Sequence, residues 1–145
     1  MTVVVQWLWV IVVVALIGFG VGSTPAADWP TVQVNGNEGV ILPAAAAPDL
    51  LQGTGLAPEG YWLPRQGHLQ AAEDALSDQW QGYRQYAGFV EDGERKVYIN
   101  AFCDDMGIDW KRTVVFVMDG GACYWQAVYN VETGEVEWLT VNGEA

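Results

Sequence analysis

Positive charge is scarce in this sequence. Six Lys and Arg stand against 18 Asp and Glu, the formal net charge is -12, and no Lys or Arg precedes Arg65. A chain this acidic repels phosphate backbones and anionic membrane surfaces, which argues against a nucleic-acid partner and against docking on lipid by charge. Histidine occurs once, at His68, without an HExxH pattern or a second His to complete a metal site, so it reads as a surface residue. Cysteine occurs twice, at Cys103 and Cys123, and no CxxC spacing points to thioredoxin-like redox work or to zinc. There is no GxSxG nucleophile motif and no glycine-rich loop running from a strand into a helix. With no nucleophile, metal set or phosphate cradle in view, the expectation is a protein that is not an enzyme and carries no cofactor. Asp104, Asp105 and Asp109 crowd one stretch, but their order differs from a calcium loop and reads as a solvated turn.

Aromatic residues and apolar length are what the chain has in quantity. Eight Trp, six Tyr and four Phe are many for 145 residues, and large rings help a small domain fill its core or furnish an interface. Residues 3–21 form an almost unbroken apolar run, VVVQWLWVIVVVALIGFGV. Roughly 20 helical residues span the ~30 Å hydrocarbon core of a bilayer, and Trp7 and Trp9 suit the headgroup level. Two fates compete. A cleaved signal peptide has a small-residue cut site available around Thr24 to Ala27, but the positive n-region is missing and the run is long for an h-region, so an uncleaved anchor is favoured. The expected division is residues 1–23 as transmembrane helix or signal sequence, 24–58 as a Pro/Gly/Ala-rich tether, and 59–145 as a small α+β domain. Within the tether, Val32 to Val34 and Val40 to Leu42 are apolar patches able to add an edge strand.

In the last segment, Leu69, Ala72, Leu76 and Trp80 recur at helical spacing, predicting one helix that ends near Gly82. Five short strands follow: 83–90, 95–102, 113–118, 122–131 and 136–141. They are separated by turn signals such as Asp92-Gly93, Gly120-Gly121 and Thr133-Gly134. The run TVVFVM at 113–118 reads as a central strand buried on both faces. The expected fold is one helix across one face of an antiparallel meander, with the other face partly open. Tyr98, Trp125, Tyr129 and Trp138 are the candidate partner-binding residues of that open face. Arg84, mid-strand among aromatics, is expected to pair with a carboxylate or stack on a ring. For Cys103 and Cys123, an exported compartment favours a disulfide, while a plain meander would place them at opposite ends of an intervening strand; both outcomes stay open.

The run YRQYAGFVEDGERKVYINAFC, then VVFVMDGGACYW and YNVETGEVEWLTVNGEA, resembles a group of exported bacterial proteins with no assigned activity, over about Tyr61 to Ala145. The resemblance implies export and an α+β domain, and nothing about mechanism. The layout of one helix on a curled sheet also looks like cystatin-type folds, a likeness of outline that does not imply protease inhibition. The favoured expectation is a single-pass accessory or structural subunit of the bacterial inner membrane. Its domain would lie in the periplasm or outside the cell and bind a larger membrane-protein assembly, of the respiratory or photosynthetic kind. The alternative is a cleaved, secreted module binding a peptide, a protease or a small ligand.

Overall fold

The computed structural model describes residues 27–76 and 81–143. The apolar run at 3–21 and the helical position Trp80 lie outside those residues. The chain is α+β: a mixed seven-stranded sheet with one helix against each face. In order come β1 (Thr31–Val34), β2 (Asn37–Ile41), α1 (Ala47–Leu51), β3 (Gly60–Trp62), α2 (Gln66–Ala75), β4 (Tyr83–Glu91), β5 (Glu94–Phe102), β6 (Trp125–Asn130) and β7 (Glu135–Val141).

The spatial order β1-β2-β4-β5-β6-β7 makes β4 the hub. One edge of β4 pairs along its whole length with β5. The other edge is shared. Parallel β2 takes Tyr83 to Tyr86, and antiparallel β3 takes Gly88 to Val90. Gly88 permits the second contact, because a Cβ there would sit 2.4 Å from the Trp62 carbonyl oxygen. The sheet is therefore mixed, not the antiparallel meander of five strands that the turn signals suggest.

Two further expectations are corrected. Residues 24–58 do not serve only as a tether, since 31–41 form a hairpin built into the sheet and Ala47, Leu50 and Leu51 of α1 are buried. The hairpin turns at Asn35-Gly36, whose φ values of 50° and 82° suit a two-residue turn. The 113–118 run is not a strand: β5 pairs directly with β6, and the run crosses over one face of the sheet instead.

Strand alternation sorts the side chains into two layers. On one face Tyr86, Val97, Ile99, Ala101, Trp125, Ala127 and Tyr129 pack beneath α2, which contributes Leu69 and Ala72, with Leu76 joining them just past its end. Burying each large aliphatic of that kind is worth about 1.5–3 kcal/mol. A charged group is also sealed there. Arg84 Nε lies 3.0 Å from Glu73 Oε1, the Tyr86 hydroxyl donates to the same oxygen at 2.7 Å, and the guanidinium stands 4.7 Å over the Trp125 ring. Arg84 thus has both partners expected of it, a carboxylate and a cross-strand ring. His68 is half-buried, not free on the surface. It accepts the Arg65 backbone N–H at the start of α2 and meets Trp62 edge-on at 5.1 Å.

On the other face Ala87, Phe89, Tyr98, Phe102 and Val128 meet α1 together with Trp110 and Val115 of the crossing segment. Two amides in the sheet hold that segment. Gln85 Nε2 donates to the carbonyls of Trp110 and Thr113 at 2.8 and 2.7 Å, and its Oε1 accepts the Val115 N–H at 2.9 Å. Asn100 Nδ2 donates to Val115 O at 2.8 Å. The backbone of 110–115 thereby gains the bonds a strand ladder would supply, from side chains standing up off the sheet.

Candidate binding cleft

Cys103 and Cys123 are bonded to each other. The β5–β6 register pairs Ala101 with Trp125, and two further residues along each chain bring the two cysteines opposite. The geometric objection falls with the intervening strand on which it rested. The bond closes residues 104–122 into a loop over the face opposite α2. Inside it, Asp104 Oδ1 accepts the Met106 N–H and Asp105 Oδ1 the Gly107 N–H, while Asp109 lies 3.7 Å from Arg112. Those carboxylates shape turns. Among the described residues no cluster of His, Cys, Asp and Glu is placed to hold a metal ion.

The loop builds one wall of a cleft. Its 115–118 stretch is fixed to β5 through Asn100 and to the end of β7 through Asn142, whose amide donates to the Val117 carbonyl. The opposite wall is the turn after α1, residues 52–56, held by the Thr54 hydroxyl on the Leu51 carbonyl. The floor is the face of β5, β6 and β7 carrying Tyr98, Gln126, Trp138 and Thr140. The main lobe holds about 310 Å³, and a second lobe of about 270 Å³ continues past Trp138 toward Leu56 and Glu137. Trp138 and Thr54 line both lobes.

Of the four expected partner-binding residues, the structure brings two together. Trp138 is 37% exposed and stacks on Tyr98 with ring centroids 6.3 Å apart. Trp125 and Tyr129 lie on the opposite face, buried under α2 with Val97 and Ala101, so they are core residues. The four do not share an open face because β6 places Val128, between them in register, beside Tyr98. A bulge at Val128/Tyr129 shifts β7 so that Trp138 pairs with Val128.

Sequence reasoning misses the cleft's other members. Phe116 and Met118 are 73% and 78% exposed on the wall, where a buried strand was expected. Gln126 and Thr140 are register partners on the floor. Burial pushes the Tyr98 hydroxyl well above the ordinary phenol range. In the second lobe, hydrogen bonds from Lys96 and then Asn130 hold the Glu137 carboxyl below its usual range, and Lys96 is raised in turn, first by Glu137. No family model, curated protein or solved structure matches this chain.

Proposed function

We propose that this protein is a membrane-anchored accessory subunit of the bacterial inner membrane. Its apolar N-terminal run serves as the anchor, and its α+β domain, on the periplasmic side, docks against a protein of a larger assembly. The observation that carries this reading is the outer strand β7. It ends the sheet and leaves Trp138, Leu139 and Val141 exposed, with Phe116 and Met118 exposed on the nearby wall. Proteins ordinarily blunt such edges. The opposite edge follows the rule: β1 has four residues, and Gln66 of α2 donates to the Gln33 carbonyl. In β7 the bulge and the carboxylates of Glu135 and Glu137 protect only the first half. An apolar half-strand left open beside exposed rings is the character of a protein contact.

Charge supports a basic partner surface. Five of the six basic residues already face carboxylates, which leaves the acidic excess outward. No catalytic role is part of this reading. Gentle detergent extraction and native electrophoresis test it. The protein is expected to migrate with a larger subunit, and Leu139→Lys with Val141→Lys to release it. A wild-type protein that migrates by itself overturns the proposal. The cleft favours the second reading, a cleaved and secreted binding module. An intact mass beginning near Ala27 in the soluble fraction would select it.

A further inference from the structure

The cleft shares Trp138, Phe116 and Met118 with the β7 surface, but the main feature of its larger lobe is a different one, the charge it lacks. In a chain with 18 carboxylates and six basic side chains, the main lobe is lined by none of them. Its surface is made of aromatic rings, amides, hydroxyls and a few aliphatics. From this lining we infer that the cleft is a binding site for a neutral oligosaccharide, seated across Trp138.

Each alternative ligand class meets a physical objection. An anion would enter against the field of a strongly acidic domain and find no cation in the lobe. A cation would find no carboxylate there, although carboxylates abound elsewhere on the surface. A wholly apolar ligand would bury polar groups that have nothing else to bond. Among the described residues no hydrogen bond occupies the Gln126 amide, the Thr140 hydroxyl or the Tyr98 hydroxyl. Leaving such groups dry is unfavourable, because they give up water and gain no partner. A sugar meets both halves of the surface. Its ring presents C–H bonds on its faces, which suit an indole, and hydroxyls around its rim, which both donate and accept, as amides and hydroxyls require.

The geometry extends the inference from one ring to several. The main lobe, at about 310 Å³, sits at the small end of the ~300–1,000 Å³ range of ligand sites. The second lobe lies on the far side of Trp138, with Thr54 common to both. A chain of sugar units would rest on the indole at its middle and occupy a lobe on either side. Tyr98 stacks behind Trp138 and holds the ring in place, so little side-chain freedom remains to be lost on binding. The walls are fixed by Asn100, Asn142 and the disulfide, and the site is formed before any ligand arrives.

The test uses the purified full chain in a detergent without a sugar headgroup, so it needs no protein partner and its failure would leave the β7 docking reading standing. Maltohexaose, cellohexaose, chitohexaose and xylohexaose are titrated while tryptophan fluorescence and ligand-observed NMR are recorded. Polygalacturonate and an uncharged Ser/Thr/Phe peptide serve as controls. At least one neutral oligosaccharide is expected to bind in the millimolar range or tighter. Trp138→Ala should weaken that binding roughly tenfold or more, and Trp138→Phe less. Gln126→Ala, with one amide removed, should weaken it roughly fivefold. Both positions are solvent-accessible, and unchanged circular dichroism will confirm the fold. If Trp138→Ala does not fold, Gln126→Ala decides. The inference is overturned if none of the four sugars binds, if binding ignores the Gln126 and Trp138 substitutions, or if only the acidic polymer or the peptide binds.

Discussion

The ion pair sealed between α2 and the sheet makes the most demanding prediction. Arg84 and Glu73 are 1% and 3% exposed, and the carboxylate oxygen facing the guanidinium also accepts the Tyr86 hydroxyl. Glu73→Gln leaves a cation buried without its counter-charge, and Arg84→Met leaves a buried anion with a phenol for support. Each should cost about 3–5 kcal/mol, the usual penalty for orphaning a buried charge. That is a large share of the ~5–15 kcal/mol that holds a domain together. Removing both charges in Glu73→Leu with Arg84→Met eliminates the desolvation problem and leaves the Tyr86 hydroxyl without its acceptor, at about 1–3 kcal/mol. The double variant should therefore be more stable than either single one, and adding Tyr86→Phe should recover part of the remainder. Urea denaturation followed by far-ultraviolet circular dichroism measures all four against wild type. The reasoning is refuted if Glu73→Gln falls within ~1 kcal/mol of wild type, or if the double variant loses the sum of the single losses.

The disulfide and the buried phenols give two more. Cys103 and Cys123 are 20 residues apart, so replacing both with Ser should cost about 3 kcal/mol through the freed loop. Thermal unfolding with and without reductant should show the loss in wild type and none in the variant. At alkaline pH, burial raises the Tyr98 hydroxyl, and burial together with Glu73 raises Tyr86. Both protons stay on in the folded chain and leave the unfolded one above about pH 10. The folded state then binds two more protons, so this stability is complete below about pH 10 and falls by about 2.7 kcal/mol per pH unit above it. Tyr98→Phe should reduce that slope by about half in urea titrations across the range; an unchanged slope would contradict the assignment.

The four strands from Tyr83 onward, three of which carry the cleft floor, are legible in the sequence, because alternation coincides with turn signals at Asp92-Gly93 and Thr133-Gly134. The 113–118 run misleads for a definite reason. Its β-branched residues carry the composition of a buried strand, but both ladder positions beside β5 are taken, by β4 and β6. What the run receives instead are bonds from Gln85 and Asn100. Those two amides sit mid-strand, 15 residues apart, and nothing local marks them as partners of a loop. The 31–41 hairpin has a readable signal in Asn35-Gly36 between the Val32–Val34 and Val40–Leu42 patches, masked by the Pro and Ala around it. Its parallel docking on β4 depends on a contact too distant in the chain for local pattern to register. Trp138 is legible as a candidate for the cleft because it is aromatic. Gln126 and Thr140 are not, because a polar residue on a strand reads as solvent-facing wherever it falls.

The two-sided occupation of one β4 edge also sets an order of events in time. Asn37 and Gly82, 45 residues apart, are joined by a side-chain hydrogen bond where β2 meets β4. A ribosome or export channel that delivers the chain from its N-terminus presents the 31–41 hairpin and β3 long before the strand that both require. Until β4 emerges, Val40, Leu42 and the α1 leucines have no sheet to lie on. The first half of the domain is thus a set of pieces awaiting a keystone, and its apolar side chains stay uncovered during that interval.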